Sequence, residues 1–145
     1  MARIKIQLPE QRLFEATIPV RITDINYGNH MGNDSFVSIL HEARMQWLRS
    51  KSWTELNIDG TGLIMSDLAV EFKSEVFYGD DLTVTIYVDS ITETSFELYY
   101  SMHNREKALV AKAKTGMICY NYSAKKIVAV PANLRIAMDA MSQDL

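Results

Sequence analysis

Thr23-Asp24-Ile25-Asn26-Tyr27-Gly28-Asn29-His30-Met31-Gly32-Asn33-Asp34 is a polar stretch broken by two glycines, and it stands directly before the most apolar helical pattern of the chain. From Phe36 onward the apolar residues Phe36, Ile39, Leu40, Ala43, Trp47 and Leu48 keep the spacing of one wide helix stripe. This predicts a buried helix that begins at Asn33 or Asp34, either of which can cap it, and ends near Ser50. The first amides of such a helix lack intrahelical acceptors, and the positive end of its dipole points at the preceding loop. A loop of Asp, Asn, His and Gly at that end is a place to hold developing negative charge.

Upstream, residues 14–22 alternate loosely between apolar and polar, which predicts a half-buried strand entering the polar stretch. Downstream, residues 51–62 read as an irregular connection, because Asn57, Asp59, Gly60 and Gly62 interrupt any helical run. Four strand patterns follow. The first, over residues 63–76, is long enough to require a bend or bulge. Leu82, Val84, Ile86 and Val88 keep a period of two, as do Phe96, Leu98, Tyr100 and Met102. Residues 108–122 place Lys112 and Lys114 on one face, with Ala111, Ala113, Met117 and Cys119 on the other. A short amphipathic helix is predicted from Pro131, a favoured first helical residue, to about Met141. One strand, one long helix and a four-strand meander describe an α+β domain in which an antiparallel sheet wraps a central helix.

At 145 residues and 48% hydrophobic, the chain suits one domain spanning 1–145. A net charge of -3 and a pI near 5.6 argue against nucleic-acid binding, which needs clustered Lys and Arg. Cys119 is the only cysteine, so an intramolecular disulfide is impossible and a reducing, cytoplasmic setting fits best. The N-terminal residues mix charge with isolated apolar positions, unlike a signal peptide, and no segment approaches the roughly 20 apolar residues of a membrane helix. Neither membrane insertion nor a metal or nucleotide cofactor is expected: His30 lacks a second ligand at metal spacing, and no G-x-G-x-x-G, P-loop or G-x-S-x-G occurs.

The run from Asp24 to Phe36, followed by His41-Glu42-Ala43-Arg44 and Trp47-Leu48, resembles the hotdog-fold thioesterases of the 4-hydroxybenzoyl-CoA thioesterase type. That family reads D-x-D-x-x-G-H-x-N-N-x-x-Y, then E-A-R and W-L along a helix. Val70-Glu71-Phe72-Lys73 and Tyr78-Gly79-Asp80-Asp81-Leu82 are similar to its second strand and Gly-Asp turn, so the resemblance runs roughly from residue 18 to 130. It implies the hotdog fold, a homodimer or dimer of dimers joined through sheet edges, and hydrolysis of acyl-CoA or acyl-ACP thioesters.

The resemblance also marks a departure. The family's usual catalytic Asp falls on Asn26, and an amide can neither abstract a proton nor form an ordinary acyl anhydride. Three outcomes stay open. Asp24 acts as base with Asn26 orienting water or substrate, similar to the D-x-N of plant acyl-ACP thioesterases, where a glutamate placed like Glu75 also takes part. Alternatively Glu42 on the helix supplies the carboxylate, or the site is a non-catalytic binder of acyl thioesters. His30, Gly32, Asn33, Asp34 and Ser66 are the candidate substrate contacts, with backbone N–H groups near Asn33 as oxyanion donors. Without the resemblance, Asp24 and Asn26 are ordinary turn formers, and Glu42 and Arg44 read as an ion pair. Lys73, Arg105, Lys107, Lys112 and Lys114 are the cations available to coenzyme A phosphates, although each taken singly reads as a solvated side chain.

Overall fold

A computed structural model describes residues 2–140. Its elements are β1 (Arg12–Pro19), a 3-10 turn (Ile22–Asp24), α1 (Asn33–Ser50), β2 (Gly62–Phe72), β3 (Asp81–Asp89), β4 (Ser95–His103), β5 (Leu109–Asn121), β6 (Lys126–Ile127) and α2 (Ala132–Ala140). All strand pairs are antiparallel, in the order β1-β3-β4-β5-β2, with β6 on the end of β5. The sheet wraps α1, which is the hotdog arrangement that the resemblance implies.

The period-two residues of β3 and β4 all point at the helix and are buried, as are Ala111, Ala113, Met117 and Cys119 of β5. Against them α1 presents Phe36, Ile39, Leu40, Ala43, Trp47 and Leu48, each no more than 4% exposed. Removing one such large side chain from water contributes about 1.5–3 kcal/mol, so the stripe alone fixes which way α1 faces. Trp47 is completely buried, and its indole N–H finds no acceptor among the described residues. Leu134 and Met138 of α2 are likewise fully buried.

Three boundaries differ from the sequence reading. β1 ends at Pro19, because the Asp24 carboxylate draws residues 22–24 into a 3-10 turn instead of a strand. α1 is capped by Gly32 in extended geometry (φ -73°, ψ 157°), with Asn33 already helical. β2 stops at Phe72, since Lys73 and Ser74 both donate to the Val110 carbonyl and leave the ladder. The bulge expected in β2 lies at Ser66, where the register against β5 slips between Met65 and Asp67. One extra residue reverses the alternation, so Leu63 and Met65 before it and Leu68, Val70 and Phe72 after it all sit opposite inward residues of β5. The two-residue β6 was not anticipated, and Met141 lies outside the described residues.

β2 is an edge strand. Its inward side chains Met65, Leu68 and Phe72 remain about 40% exposed because α1 covers them only on one side. The result is a groove between α1 and β2 that runs from the start of the helix towards its end. No described helix is long and apolar enough to cross a membrane.

Candidate active site

The loop before α1 is tied together by its own polar groups. Asp24 is only 4% exposed. Its carboxylate accepts the Arg21 backbone N–H at 2.8 Å, with the Arg21 guanidinium at 3.5 Å, while its carbonyl accepts the Gly32 N–H at 3.1 Å. The Asn26 side-chain oxygen accepts the Gly28 N–H at 2.8 Å, and the Asn26 N–H bonds the His30 carbonyl at 3.0 Å. Asn29 takes the left-handed conformation (φ 69°) that asparagine tolerates. A Cβ at Gly28 would stand 3.1 Å from Asn26 Oδ1 and 3.5 Å from His30 Nε2, so the glycine lets those two side chains crowd round it. The Met31 N–H reaches the Val76 carbonyl at 2.7 Å, which fastens this loop beside Glu75.

At the start of α1 the Gly32 carbonyl takes the amides of Ser35 and Phe36, at 3.1 and 3.3 Å. The amides of Asn33 and Asp34 have no acceptor among the described residues. These two N–H groups and the helix dipole make the helix start an anion-stabilising point, and Asp34 already supplies one carboxylate to the first turn.

The candidate residues fall into separate places. His30, Asn33 and Glu75 line one cavity of about 260 Å³ together with Met31, Phe36, Phe72, Lys73 and Ser74. This is the helix-start end of the α1–β2 groove, where Phe36 and Phe72 meet edge to face at 5.0 Å. Asp24 and Glu42 line a different cavity, of about 360 Å³, between α1 and the end of β1. Glu42 accepts Gln46 Nε2 at 2.8 Å and is not paired with Arg44, contrary to the alternative reading of the E-A-R run. Ser66, the bulge residue, lines a third cavity with Asp67, Glu97 and Lys114, which does not include the helix start. Asn26 is exposed, and Gly32 and Asp34 act through the backbone of the loop and first turn.

The groove widens further along into a cavity of about 490 Å³, lined on α1 by Val37, Leu40, His41 and Arg44 and on β2 by Leu63, Met65 and Leu68. One wall carries a polar cluster that sequence reasoning missed. Arg44, 6% exposed, donates from Nε to Glu55 Oε2 at 2.8 Å and from Nη1 to the Tyr100 hydroxyl at 3.1 Å. Tyr100 in turn lies 2.8 Å from Thr115 Oγ1, and His41 Nε2 lies 2.6 Å from Glu55 Oε1. Burial pushes the Glu55 carboxyl up, but the hydrogen bonds and charges of Arg44 and His41 outweigh it and hold the group below the usual carboxylate range. Burial likewise works against the Arg44 charge, and Tyr100 and Glu55 reverse the effect. Of these residues only Arg44 carried a signal, the E-A-R run, and its partner Glu55 sits on an irregular connection with no periodicity to place it.

Most of the cations considered for phosphate are already engaged. Lys73 and Lys112 face Glu71, at 2.7 and 3.9 Å, Lys114 lies 2.8 Å from both Asp67 and Glu97, and Arg105 bonds Asp81 at 3.0 Å. Lys73 alone among them lines the helix-start cavity.

A curated relative, the 1,4-dihydroxy-2-naphthoyl-CoA hydrolase of Microcystis aeruginosa, is 32% identical over 73 residues, which is 50% of this chain and 52% of that protein. The chain thus aligns with about half the length of the curated relative it matches. Among solved structures, a 1,4-dihydroxy-2-naphthoyl-CoA thioesterase from Synechocystis superposes with a TM-score of 0.81 at 22% identity, covering 88% of this chain and 96% of that one. The SAV2348 protein of Staphylococcus aureus, solved in complex with CoA, gives 0.82 at 18% identity, covering 97% of this chain and 89% of that one. At these identities the superpositions establish the hotdog fold. The model of the thioesterase-like superfamily matches residues 20–138, taking in the polar loop, α1, every strand after β1 and most of α2, and on that match the chain belongs to the thioesterase-like superfamily.

Proposed function

We propose that this protein hydrolyses acyl-CoA thioesters at the helix-start end of the α1–β2 groove. The observation that carries the reading is the pair of unpartnered amides, Asn33 and Asp34, beside a cavity that His30 and Glu75 line. The thioester carbonyl oxygen sits on those amides, and Glu75 takes a proton from a water as its oxygen bonds the carbonyl carbon. The tetrahedral oxyanion then collapses, the C–S bond breaks, and the thiolate of coenzyme A takes the proton back from Glu75. His30 orients the water. Asp24, the base favoured by the D-x-N comparison, has the lesser claim, because its carboxylate holds the Arg21 amide and lines the other flank of the helix.

Coenzyme A as carrier is favoured by the Microcystis relative and by the Staphylococcus complex, whose names specify CoA. Acyl carrier protein is the alternative. Two copies join through the exposed β2 edge, which removes an open sheet edge. A cytoplasmic setting agrees with a CoA-borne substrate.

The test is thiol release over a panel of acyl-CoA and acyl-ACP thioesters. Glu75→Gln lowers kcat by about 10²- to 10⁴-fold with the fold intact, whereas Asp24→Asn acts mainly through stability. Thiol release unaltered in Glu75→Gln overturns the assignment of the base. The second reading, a non-catalytic binder, is favoured by Asn26 standing where the family has Asp. It is supported if the protein binds acyl-CoA without turnover and Asn26→Asp creates activity.

A further inference from the structure

The Arg44 cluster has unused capacity. Guanidinium carries five N–H donors. Arg44 spends one on Glu55 and one on Tyr100, and its Nη2 has no acceptor among the described residues. Nor is Nη2 among the polar atoms closed off from solvent without a partner. A charged side chain 94% withdrawn from solvent thus keeps a donor turned to a cavity whose other walls include Val37, Leu40, Met65 and Leu68, and a ligand oxygen that accepts from it replaces only water.

From this, and resting on the reading above that the thioester sits at the helix start, we infer that the far end of the groove recognises an oxygen near the end of the acyl group. The geometry sets its distance. Arg44 follows Asn33 by eleven residues, about 16 Å along the helix axis at 1.5 Å per residue. Helical side chains lean back towards the N-terminus, which brings the guanidinium to about 12 Å from the helix start. An extended chain advances roughly 1.25 Å per carbon, from a 1.52 Å bond and a tetrahedral angle. The oxygen therefore belongs to an acyl chain of about ten carbons, lying against Val37, Leu40, Met65 and Leu68.

Charge selects the kind of oxygen. Arg44 and Glu55 form an ion pair at 2.8 Å and cancel, so the wall offers a donor without a net positive charge. A hydroxyl accepts from Arg44 Nη2 and can donate to a free lone pair of Glu55. A carboxylate meets the Glu55 charge and is disfavoured.

The experiment compares plain, ω-hydroxy and ω-carboxy acyl groups of six to fourteen carbons in two forms: CoA thioesters for thiol release, and S-alkyl-CoA thioethers, which cannot be hydrolysed, for calorimetric binding. The wild type prefers the ω-hydroxy thioether over the plain one by about ten- to a hundredfold, with the maximum near ten carbons. Glu55→Gln leaves Arg44 uncompensated and turns the preference towards the ω-carboxy ligand. A loss of packing alone lowers binding of all three ligands together, so that swap does not depend on stability. His41→Gln, at a more exposed position, keeps the hydroxyl preference in weakened form. Thioethers that bind with no hydroxyl preference, or no binding at all, overturn the inference. Preference without any thiol release leaves it standing and overturns the hydrolase.

Discussion

Replacing Arg44 by methionine tests whether the buried cluster holds α1 to its surroundings. The substitution keeps most of the aliphatic volume, so the cavity contribution is small. What is lost is the 2.8 Å bond to Glu55 and the 3.1 Å bond to Tyr100. A hydrogen bond to a charged group contributes about 1.5–3 kcal/mol and a buried pair broken on one side costs about 3–5. Here the abandoned groups keep other partners: Glu55 retains His41 at 2.6 Å and 23% exposure, and Tyr100 retains Thr115 at 2.8 Å. The net cost is therefore about 2–3 kcal/mol, read as a fall in Tm of roughly 6–10 °C for a chain of this size. Circular dichroism through thermal and urea unfolding measures it. The double variant Arg44→Met, Glu55→Met costs less than the two single variants summed, because the Arg44–Glu55 interaction is lost only once. A single variant within about 0.5 kcal/mol of wild type, or a strictly additive double variant, refutes the argument.

Three further outcomes follow from the same structure. Glu55 has a depressed folded-state pKa, so its contribution is fully present above the unfolded value near 4.3 and is lost as pH falls through the lower folded value; Tm against pH for wild type and Glu55→Gln converges on the acid side and separates above about pH 5. Gly116→Ala puts a methyl 2.6 Å from Ser66 Oγ and 2.8 Å from Asp67 Oδ1, displacing the carboxylate that accepts the Gly116 amide, and costs about 1–3 kcal/mol in a denaturant titration, relieved in part by Ser66→Gly. Burial pushes the Cys119 thiol up to about 11, so a disulfide reagent at pH 8 modifies the native protein only through unfolding, and denaturant accelerates the reaction by several orders of magnitude.

The helix and the meander were legible because their periodicities are long and their partners are apolar: a stripe from Phe36 to Leu48 has one way to be buried, and alternating Leu82 to Val88 has one inward face. A bend or bulge in β2 was legible from its length, but its place at Ser66 was not, because the register against β5 sets it. The extent of β1 was not, since the Asp24 side chain competes for the backbone at a point where alternation alone continues the strand. For the candidate site the sequence shows residue types, while their distribution over separate cavities depends on tertiary contacts. Asp24 and Asn26 are two apart, yet one is buried under Arg21 and the other is exposed, whereas Glu75 and His30 are distant in sequence and share a cavity only because the Met31 amide is bound to Val76. The pairing of Arg44 with Glu55 depends on the path of an irregular segment, which no local pattern encodes.

Trp47, wholly enclosed and with an indole N–H that meets no acceptor, has a consequence for how the molecule can be watched. Burial of that degree predicts emission well to the blue, and Trp53, only partly covered beyond the end of α1, is expected to emit further to the red. The two chromophores report different events: quenching of the red component follows molecules arriving at the helix flank, and a red drift of the blue component marks water entering the core. Native light from this protein therefore separates changes at that outer flank from melting of the core without any label.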